Sequence, residues 1–333
     1  MFETDPNVWL QSFTAAWFFW IMGALSTIGQ SWFYMPAILL LAFGVKLRPT
    51  MALLLALLLV GTATTALKHG FGLPRPSEVD ARVLDKGRSD RHLVADGAAK
   101  AFLALPSDEA IAAARAQEER DFGFVSGHTS AAAAFALSIP LFFGLRRRWI
   151  WVAALAWPVL MGISRMYLGR HFLADVLGGL AVGWLGTLLV AAWWRRLPAS
   201  GPVPAALWVP PLLVVALVGA VAGSIAGVGY NAVGDLLGAL AVVAVLQWRG
   251  WPHDDTGLPR RIARVACALA VGYSTTLAFT AAYAAGGWGE GHPVSIAFAI
   301  TGMVVGLLGS VALCRLLRLY PPPAHAASKA KNP

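Results

Sequence analysis

Two ionisable side chains, His171 and Asp175, lie four residues apart in the segment 164–175, which reads SRMYLGRHFLAD. On a helix this spacing places both side chains on one face. A carboxylate that accepts a hydrogen bond from one imidazole nitrogen fixes the tautomer and makes the other nitrogen more basic. The pair is therefore either a satisfied polar contact in a helical bundle or a reaction centre in which Asp175 orients His171.

Three clusters of polar residues predict a binding pocket for a phosphoryl group. Lys68 and Arg75 lie in KHGFGLPRP, Ser126 and Gly127 begin the triplet SGH, and Arg165 belongs to the stretch that holds the His–Asp pair. Arginine offers a planar fork of donors to phosphate oxygens, whereas lysine acts as a compact point charge. Backbone N–H groups at the helix start predicted near SGH favour an anion, and glycine keeps that backbone accessible. Each cluster lies at the end of a predicted helix, so short loops bring all three to one membrane face.

Two histidines divide the chemistry that such a pocket needs. Phosphoryl transfer requires a nucleophile, a general acid and stabilisation of the charge in the transition state. His171, which has a carboxylate one helical turn away, is the predicted nucleophile. His128, which has no neighbouring carboxylate in the sequence, is predicted to protonate the departing oxygen and then to activate water. Because the sequence holds no cluster of Asp and Glu for Mg²⁺, we expect no metal and no other cofactor.

The composition predicts that membrane helices position these residues. Hydrophobic residues make up 58% of the 333-residue chain and charged residues only 13%, against roughly 25% in soluble domains. Several apolar runs reach the ~20 residues that a membrane-spanning helix needs. The predicted fold class is an all-α polytopic membrane helical bundle. Its ten spans are expected at about 8–28, 32–45, 50–67, 127–145, 149–165, 172–194, 205–227, 230–248, 263–285 and 293–316.

The connections between these spans alternate in charge. One side holds 15 of the 26 basic residues and only four acidic residues, among them Glu3 and Asp5. Because basic residues concentrate in cytoplasmic loops, both termini are predicted to be cytoplasmic. The three clusters then face the periplasm or an equivalent outer compartment, as in a protein of a bacterial inner membrane.

The connection 68–126 is the long loop of this topology, and long loops are usually functional. Within it, Ser107 is predicted to cap a short surface helix that has Asp108 and Glu109 in its first turn, where the helix dipole favours acidic residues. This helix is either a solvated cover or a lid that gates the substrate.

The spacing of the clusters resembles a known signature. K68-x6-R75-P76, S126-G127-H128 and S164-R165-x5-H171-x3-D175 are similar to the three-part signature of the type-2 phosphatidic acid phosphatase superfamily. The resemblance implies a six-helix core and a phosphohistidine intermediate on His171. It also implies that His128 is the acid, that Asp175 orients the nucleophile, and that the phosphate ligands are Lys68, Arg75, Ser126, Gly127 and Arg165. One departure is Val125, because members of that superfamily usually have proline before Ser-Gly-His.

Three further residues have two interpretations each. Ser164 either makes a hydrogen bond at the helix end or contacts phosphate. Arg170 has no assigned role, although it could line the entrance for a head group. Asp235, inside the eighth predicted span, either docks the C-terminal helices or contributes to substrate specificity, because carboxylates within membranes are costly.

The expected domains are a phosphatase core at 1–197, a four-span extension at 198–318 and a disordered basic tail at 319–333. The expected function is hydrolysis of a lipid phosphate or diphosphate, with membrane lipids as surroundings, no nucleic-acid partner and no obligate protein partner. Phosphatidate, phosphatidylglycerol phosphate, undecaprenyl diphosphate and sphingoid phosphates all fit. A phosphotransferase that uses the same site is the nearest alternative. A lipid transporter or scramblase is a second one, although the sequence lacks clear inverted repeats.

Overall fold

The computed structural model describes residues 1–86, 92–117, 121–223, 229–289 and 291–321, and all regular elements within these ranges are helical. The N-terminal helices are α1 (Asp5–Gln11), α2 (Ala16–Ile28), α3 (Ser31–Leu39) with a π-helical continuation (Leu40–Val45), α4 (Leu47–Phe71) and α5 (Pro76–Val79). They are followed by α6 (Asp108–Ala116), α7 (Gly127–Phe143), α8 (Arg148–Tyr167) and α9 (Leu173–Trp194). The remainder comprises a 3₁₀ turn (Ala205–Leu207), α10 (Val209–Gly223), α11 (Gly229–Arg249), α12 (Leu258–Ala285) and α13 (Ser295–Leu316). The prediction of an all-α helical bundle is confirmed.

The number of membrane-spanning helices differs from the predicted ten. Among the described residues, six helices are long and apolar enough to cross a membrane, or up to seven if the bent pair of α2 and α3 is one span. The apolar helices Gly127–Phe143 and Ala205–Leu217 are shorter. Long apolar helices are what an integral membrane protein requires, because backbone polar groups must be satisfied within the lipid.

The helices form two compact units. One comprises Met1–Phe33 and Leu59–Leu189, and the other comprises Tyr34–Leu58 and Val190–Pro333. These ranges differ from the predicted domains 1–197 and 198–318, since residues 34–58 group with the C-terminal helices, and the predicted division into domains stays a prediction. Every predicted site residue except Asp235 lies in the first unit.

In the first unit, α9 presents glycines to α7. A Cβ atom at Gly179 would lie 2.7 Å from the backbone oxygen of Ser126, and one at Gly183 would lie 2.5 Å from the backbone oxygen of Ser130. A backbone oxygen cannot yield without displacing its helix, so small residues are what allow this close approach. The approach places the start of α7 beside the first turn of α9, which carries Asp175.

The N-terminus lies at the same end of the first unit as His171. The side-chain amide of Asn7, in α1, donates hydrogen bonds to the backbone oxygens of Met166 and His171, both at 2.9 Å. The backbone N–H of Ala174 donates to the oxygen of Met1 at 3.2 Å. The predicted placement of the N-terminus on the face opposite the site is therefore wrong.

The error arises from the first two predicted spans, 8–28 and 32–45. Helix α1 ends at Gln11, the hydroxyl of Ser12 donates to the backbone oxygen of Trp9 at 2.7 Å, and α2 begins only at Ala16. A second break at 29–30 separates α2 from α3. Hydropathy does not register these breaks because the interrupting residues carry no charge and are flanked by long apolar runs.

Helix α6 confirms the predicted cap within the long loop. Ser107 Oγ accepts a hydrogen bond from the backbone N–H of Ala110 at 3.2 Å. Ala110 and Ile111 are buried in a cluster with Phe2 and Phe172, next to His171 in the chain. The helix therefore packs onto the end of the unit that carries the site, whereas its action as a gating lid stays a prediction.

In the second unit, a buried arginine joins three segments. Arg264, in α12, donates to the backbone oxygen of Asp254 at 3.2 Å, and its guanidinium lies 4.6 Å from the centre of the Tyr320 ring. Burial is the largest of the influences that raise the pKa of Asp254 to about 6. Tyr320 is buried although it falls in the predicted disordered tail, and the rest of that tail, 322–333, lies outside the described residues.

Replacing Gly183 by valine should force α7 away from α9, because the new side chain would overlap the backbone of α7. Overpacking of this kind costs about 1–3 kcal/mol. We expect a lower melting temperature of the detergent-solubilised protein. Gly61→Val is the matched control, since a Cβ at Gly61, in α4, meets no atom of the described residues within 4 Å. Equal melting temperatures for the two variants would contradict this packing.

Candidate functional site

His171 and Asp175 form a buried pair at the start of α9. His171 Nδ1 lies 3.2 Å from Asp175 Oδ2, and the same oxygen accepts the backbone N–H of Phe172 at 2.9 Å. The side chains of His171 and Asp175 are 2% and 0% exposed. The backbone oxygen of Asp175 accepts the N–H of Ser126 at 2.9 Å, which ties this turn to the start of α7. The geometry is that of a histidine oriented by a carboxylate.

Burial, followed by electrostatic repulsion from Arg75, Lys68 and Arg165 and a smaller influence of His128, holds the pKa of His171 well below its ordinary value. This direction favours the neutral imidazole. When Nδ1–H is donated to Asp175, Nε2 keeps its lone pair and is available as a nucleophile. Lys68, Arg75, Arg165 and His128 are thus the predicted site residues that influence His171 electrostatically.

The start of α7 contains the predicted anion cradle. Ser126 is the N-cap, and its Oγ accepts hydrogen bonds from the backbone N–H of Thr129 at 3.4 Å and from Thr129 Oγ1 at 2.9 Å. Because the N–H of Ser126 is already donated to Asp175, the N–H groups that remain for an anion are those of the first helical residues, beginning at Gly127. A Cβ at Gly127 would meet only Thr64, at an ordinary 3.7 Å. Packing therefore does not require glycine there, which agrees with a role in keeping the backbone accessible.

His128 follows in the first turn of α7. Its Nε2 is buried and has no hydrogen-bond partner among the described residues. Helix α2 ends against this ring, since a Cβ at Gly29 would lie 2.6 Å from His128 Cδ2. A buried nitrogen without a protein partner is costly unless a ligand or water satisfies it, which is consistent with a proton donor that meets substrate.

The cations Lys68 and Arg75 are held by the segment 121–123, which precedes α7. Lys68 Nζ donates to the backbone oxygen of Phe122 at 2.6 Å, and Arg75 Nε donates to that of Asp121 at 2.8 Å. Arg75 also forms an ion pair with the carboxylate of Asp121, and its Nη1 donates to the backbone oxygen of Arg170 at 3.1 Å. The guanidinium of Arg75 is thus oriented by three partners.

Arg165, near the end of α8, is the third cation. Its Nη1 donates to Ser26 Oγ of α2 at 2.6 Å, while its Nε is buried and has no partner among the described residues. Donors that remain open on a buried guanidinium are suited to an anionic ligand. The residues brought together are thus three cations, two histidines, one carboxylate and a helix N-terminus.

The three residues with open interpretations lie in different surroundings. Ser164 is fully buried and donates to the backbone oxygen of Met22 at 2.6 Å, which favours the structural interpretation. Arg170 forms a largely buried ion pair with Asp85, with Nε 2.7 Å from Oδ1. Asp235 lies in α11 of the second unit, and its role stays a prediction.

Four contributors were missed by sequence reasoning: Asn7, Ser26, Asp85 and Asp121. Each contacts its partner across at least 46 positions in the chain. No local spacing signals such pairs, whereas the helical spacing of His171 and Asp175 does. Asp121 was the most accessible to inference, since it is an acidic residue shortly before the SGH triplet.

The arrangement can bind a phosphoryl group and attack it with a neutral imidazole. No group of three or more His, Cys, Asp or Glu side chains close enough to hold a metal ion occurs among the described residues. The absence of a metal requirement stays a prediction.

Comparison with known proteins agrees with the signature. Residues 49–199 match the model of the PAP2 superfamily. The chain is 39% identical over 79 residues to phosphatidylglycerophosphatase B of Bacillus subtilis, which covers 22% of this chain and 39% of that protein. It is 34% identical over 87 residues to lipid A 4'-phosphatase of Bacteroides thetaiotaomicron, which covers 25% of this chain and 38% of that protein. The chain thus matches about two fifths of the length of these relatives. No solved structure matches it significantly.

Replacing Asp121 by asparagine should strengthen the binding of inorganic phosphate. The variant removes a negative charge from the guanidinium of Arg75 and keeps the backbone contact of residue 121, so a phosphate anion has less to displace. We expect the inhibition constant of inorganic phosphate to fall about two- to tenfold. Asp96→Asn is the control, since Asp96 pairs with Lys100 in an exposed position. Weaker phosphate binding in Asp121→Asn would instead show that the carboxylate holds Arg75 in its binding orientation.

Proposed function

We propose, from the membership of residues 49–199 in the PAP2 superfamily, that this protein is an integral-membrane phosphatase that hydrolyses a lipid phosphate or diphosphate through a phosphohistidine. The observation that carries the proposal is a buried His171 whose Nδ1 lies 3.2 Å from Asp175, together with the nearby cations Lys68, Arg75 and Arg165. This combination supplies both a nucleophile and charge stabilisation for a phosphoryl group.

In the first step, His171 Nε2 attacks phosphorus, so that a P–N bond forms while the bond from phosphorus to the lipid oxygen breaks. The leaving oxygen takes the electron pair of that bond and a proton from His128. An arriving phosphate dianion favours the protonated form of His128, because an opposite charge stabilises an imidazolium. Asp175 compensates the positive charge that develops on His171.

In the second step, His128 accepts a proton from water, and the resulting hydroxide oxygen attacks phosphorus. The P–N bond breaks, its electron pair returns to His171 Nε2, and inorganic phosphate leaves. Lys68, Arg75 and Arg165 stabilise the equatorial oxygens in both steps, where the charge is spread over the phosphoryl group.

A lipid is the favoured substrate for two reasons. Both relatives are named as phosphatases that act on lipids, phosphatidylglycerophosphatase B and lipid A 4'-phosphatase. The candidate residues also lie at the ends of long apolar helices, between which an acyl or isoprenoid tail has lateral access from the membrane. The two names refer to different lipids, so the head group has to be identified by measuring phosphate release from a panel of purified lipid phosphates.

We place the site on the outer, periplasmic face, together with the N-terminus, and the C-terminus in the cytoplasm. The contacts of Asn7 and Met1 beside His171 support this shared face. With Glu3 and Asp5 assigned to the outer side, the 15 basic residues of the opposite side are accompanied by only two acidic residues, Asp254 and Asp255. The charge asymmetry on which the positive-inside rule depends becomes stronger.

Replacing His171 by alanine should abolish phosphate release from every lipid phosphate in a purified panel, because the variant lacks the nucleophile. It should also prevent acid-labile covalent labelling by ³²P-substrate. His253→Ala, an exposed histidine of the second unit, is the control. Full activity of His171→Ala, or wild-type activity that EDTA abolishes, would contradict the mechanism. A phosphorylated alcohol in place of free phosphate would identify a phosphotransferase, and lipid transport that persists in His171→Ala would identify a transporter.

Replacing His128 by alanine should affect lipid and aryl phosphates differently. Loss of a general acid lowers the rate about 10²–10⁴-fold when the leaving oxygen must be protonated. A nitrophenyl phosphate, whose leaving group departs as a stable anion, should lose far less in the labelling step. Comparing the rates of phosphoenzyme formation on the two substrates tests this assignment. An equal loss on both would show that His128 contributes in another way.

A further inference from the structure

A single carboxamide in the N-terminal helix bridges the two ends of the turn that carries His171. Asn7 is completely buried, and its Nδ2 donates to the backbone oxygens of Met166 and His171, both at 2.9 Å. Met166 belongs to the last turn of α8, and His171 lies two residues before α9. Asn7 therefore fixes the separation between the end of one helix and the nucleophile at the start of the next.

The residue type suits this task. The last carbonyls of a helix have no partner within the helix, and the carbonyl of His171 precedes the hydrogen-bond ladder of α9. A primary amide presents two N–H donors on one nitrogen without a net charge, so a short asparagine can serve two carbonyls at once. In a buried position, losing this donor leaves the backbone oxygen of His171 without compensation for its desolvation, whereas that of Met166 still accepts the N–H of Gly169 at 3.0 Å.

His171 is thereby held at two points. Asp175 holds the ring through Nδ1, at 3.2 Å, and Asn7 holds the backbone oxygen of the same residue. The neighbouring Phe172 is packed edge-on against Phe2, with ring centres 5.5 Å apart. Ring rotation and backbone position together decide where Nε2 points.

We propose that Asn7 is a positioning residue for His171, and that its carboxamide sets the backbone from which the imidazole reaches the phosphoryl group. The inference rests on the proposed phosphatase function. It assigns a role in the reaction to a helix that precedes the matched segment 49–199. The hydrogen bonds of Asn7 go to the backbone of Met166 and His171 rather than to Lys68, Arg75 or Arg165, so its effect falls on the chemical step rather than on phosphate binding.

Asn7→Ala in the full-length, detergent-solubilised protein tests the proposal. A displacement of about 1 Å at a reacting group can cost up to about 100-fold in rate, and we expect kcat to fall 10- to 100-fold. The KM and the inhibition constant of inorganic phosphate should stay within about twofold. Gln11→Ala is the matched control: Gln11 lies one turn further along α1 and donates to the backbone oxygen of Tyr167 at 3.0 Å. Its kcat should stay within about twofold of the wild type.

Asn7→Asp adds a measurement that a purely structural role would not affect. In this variant an ionised carboxylate points negative oxygens at two carbonyl oxygens, whereas a protonated carboxyl group can donate a single hydrogen bond. The kcat ratio of Asn7→Asp to wild type should therefore rise as the pH falls, while the ratio for Asn7→Ala stays flat. If Asn7→Ala does not fold, the pH dependence of the kcat ratio for Asn7→Asp is the test of the proposal.

Three results would overturn the positioning role. They are a kcat of Asn7→Ala within twofold of wild type, an equal loss in Gln11→Ala, and a kcat ratio for Asn7→Asp that does not change with pH. Failure of the underlying function is recognised separately. In that case the wild-type protein itself releases no phosphate from the lipid panel and forms no phosphohistidine.

Discussion

Asp175 is the contact on which the arrangement of the site depends. One of its oxygens receives both the imidazole of His171 and the backbone N–H of Phe172, and its own backbone oxygen receives the N–H of Ser126. The proposed nucleophile, the start of α9 and the cap of α7 are thus joined through a single fully buried residue. A buried carboxylate is costly unless it is hydrogen-bonded; Oδ2 of Asp175 is, whereas Oδ1 has no partner among the described residues.

The second constraint is that several positively charged side chains lie together where they are largely shielded from water. The chain compensates Lys68 and Arg75 largely with the segment 121–123, which contributes two backbone oxygens and the carboxylate of Asp121. The same contacts orient the cations before substrate arrives, so little reorganisation is needed when charge develops. A buried anion-binding site and a stable fold are compatible here because the compensating groups are mainly neutral carbonyls, which a phosphoryl group can displace or share.

The segment before residues 49–199, which match the PAP2 superfamily model, also contributes contacts to the candidate site. Asn7 bridges the turn that carries His171, and Ser26 accepts from Arg165. The ion pair between Arg170 and Asp85 connects the segment around residue 85 to the same turn. Segments that contain no recognisable sequence motif therefore supply contacts that hold the motif residues in place. The second unit contains a different buried cluster, around Arg264.

Local patterns were sufficient for the helical class, for the cap at Ser107 and for the pairing of His171 with Asp175, because each depends on neighbours within about one helical turn. Residue types and their order also led to the assignment of the reacting groups, which stays a prediction. Hydropathy failed over the first 45 residues, where uncharged breaks interrupt apolar sequence, and the face of the N-terminus was therefore wrong. The contacts that hold the proposed reacting groups in place are visible only in the tertiary structure. Contacts such as that of Asn7 with His171 join residues 164 positions apart, and helix packing brings together segments that no periodicity relates.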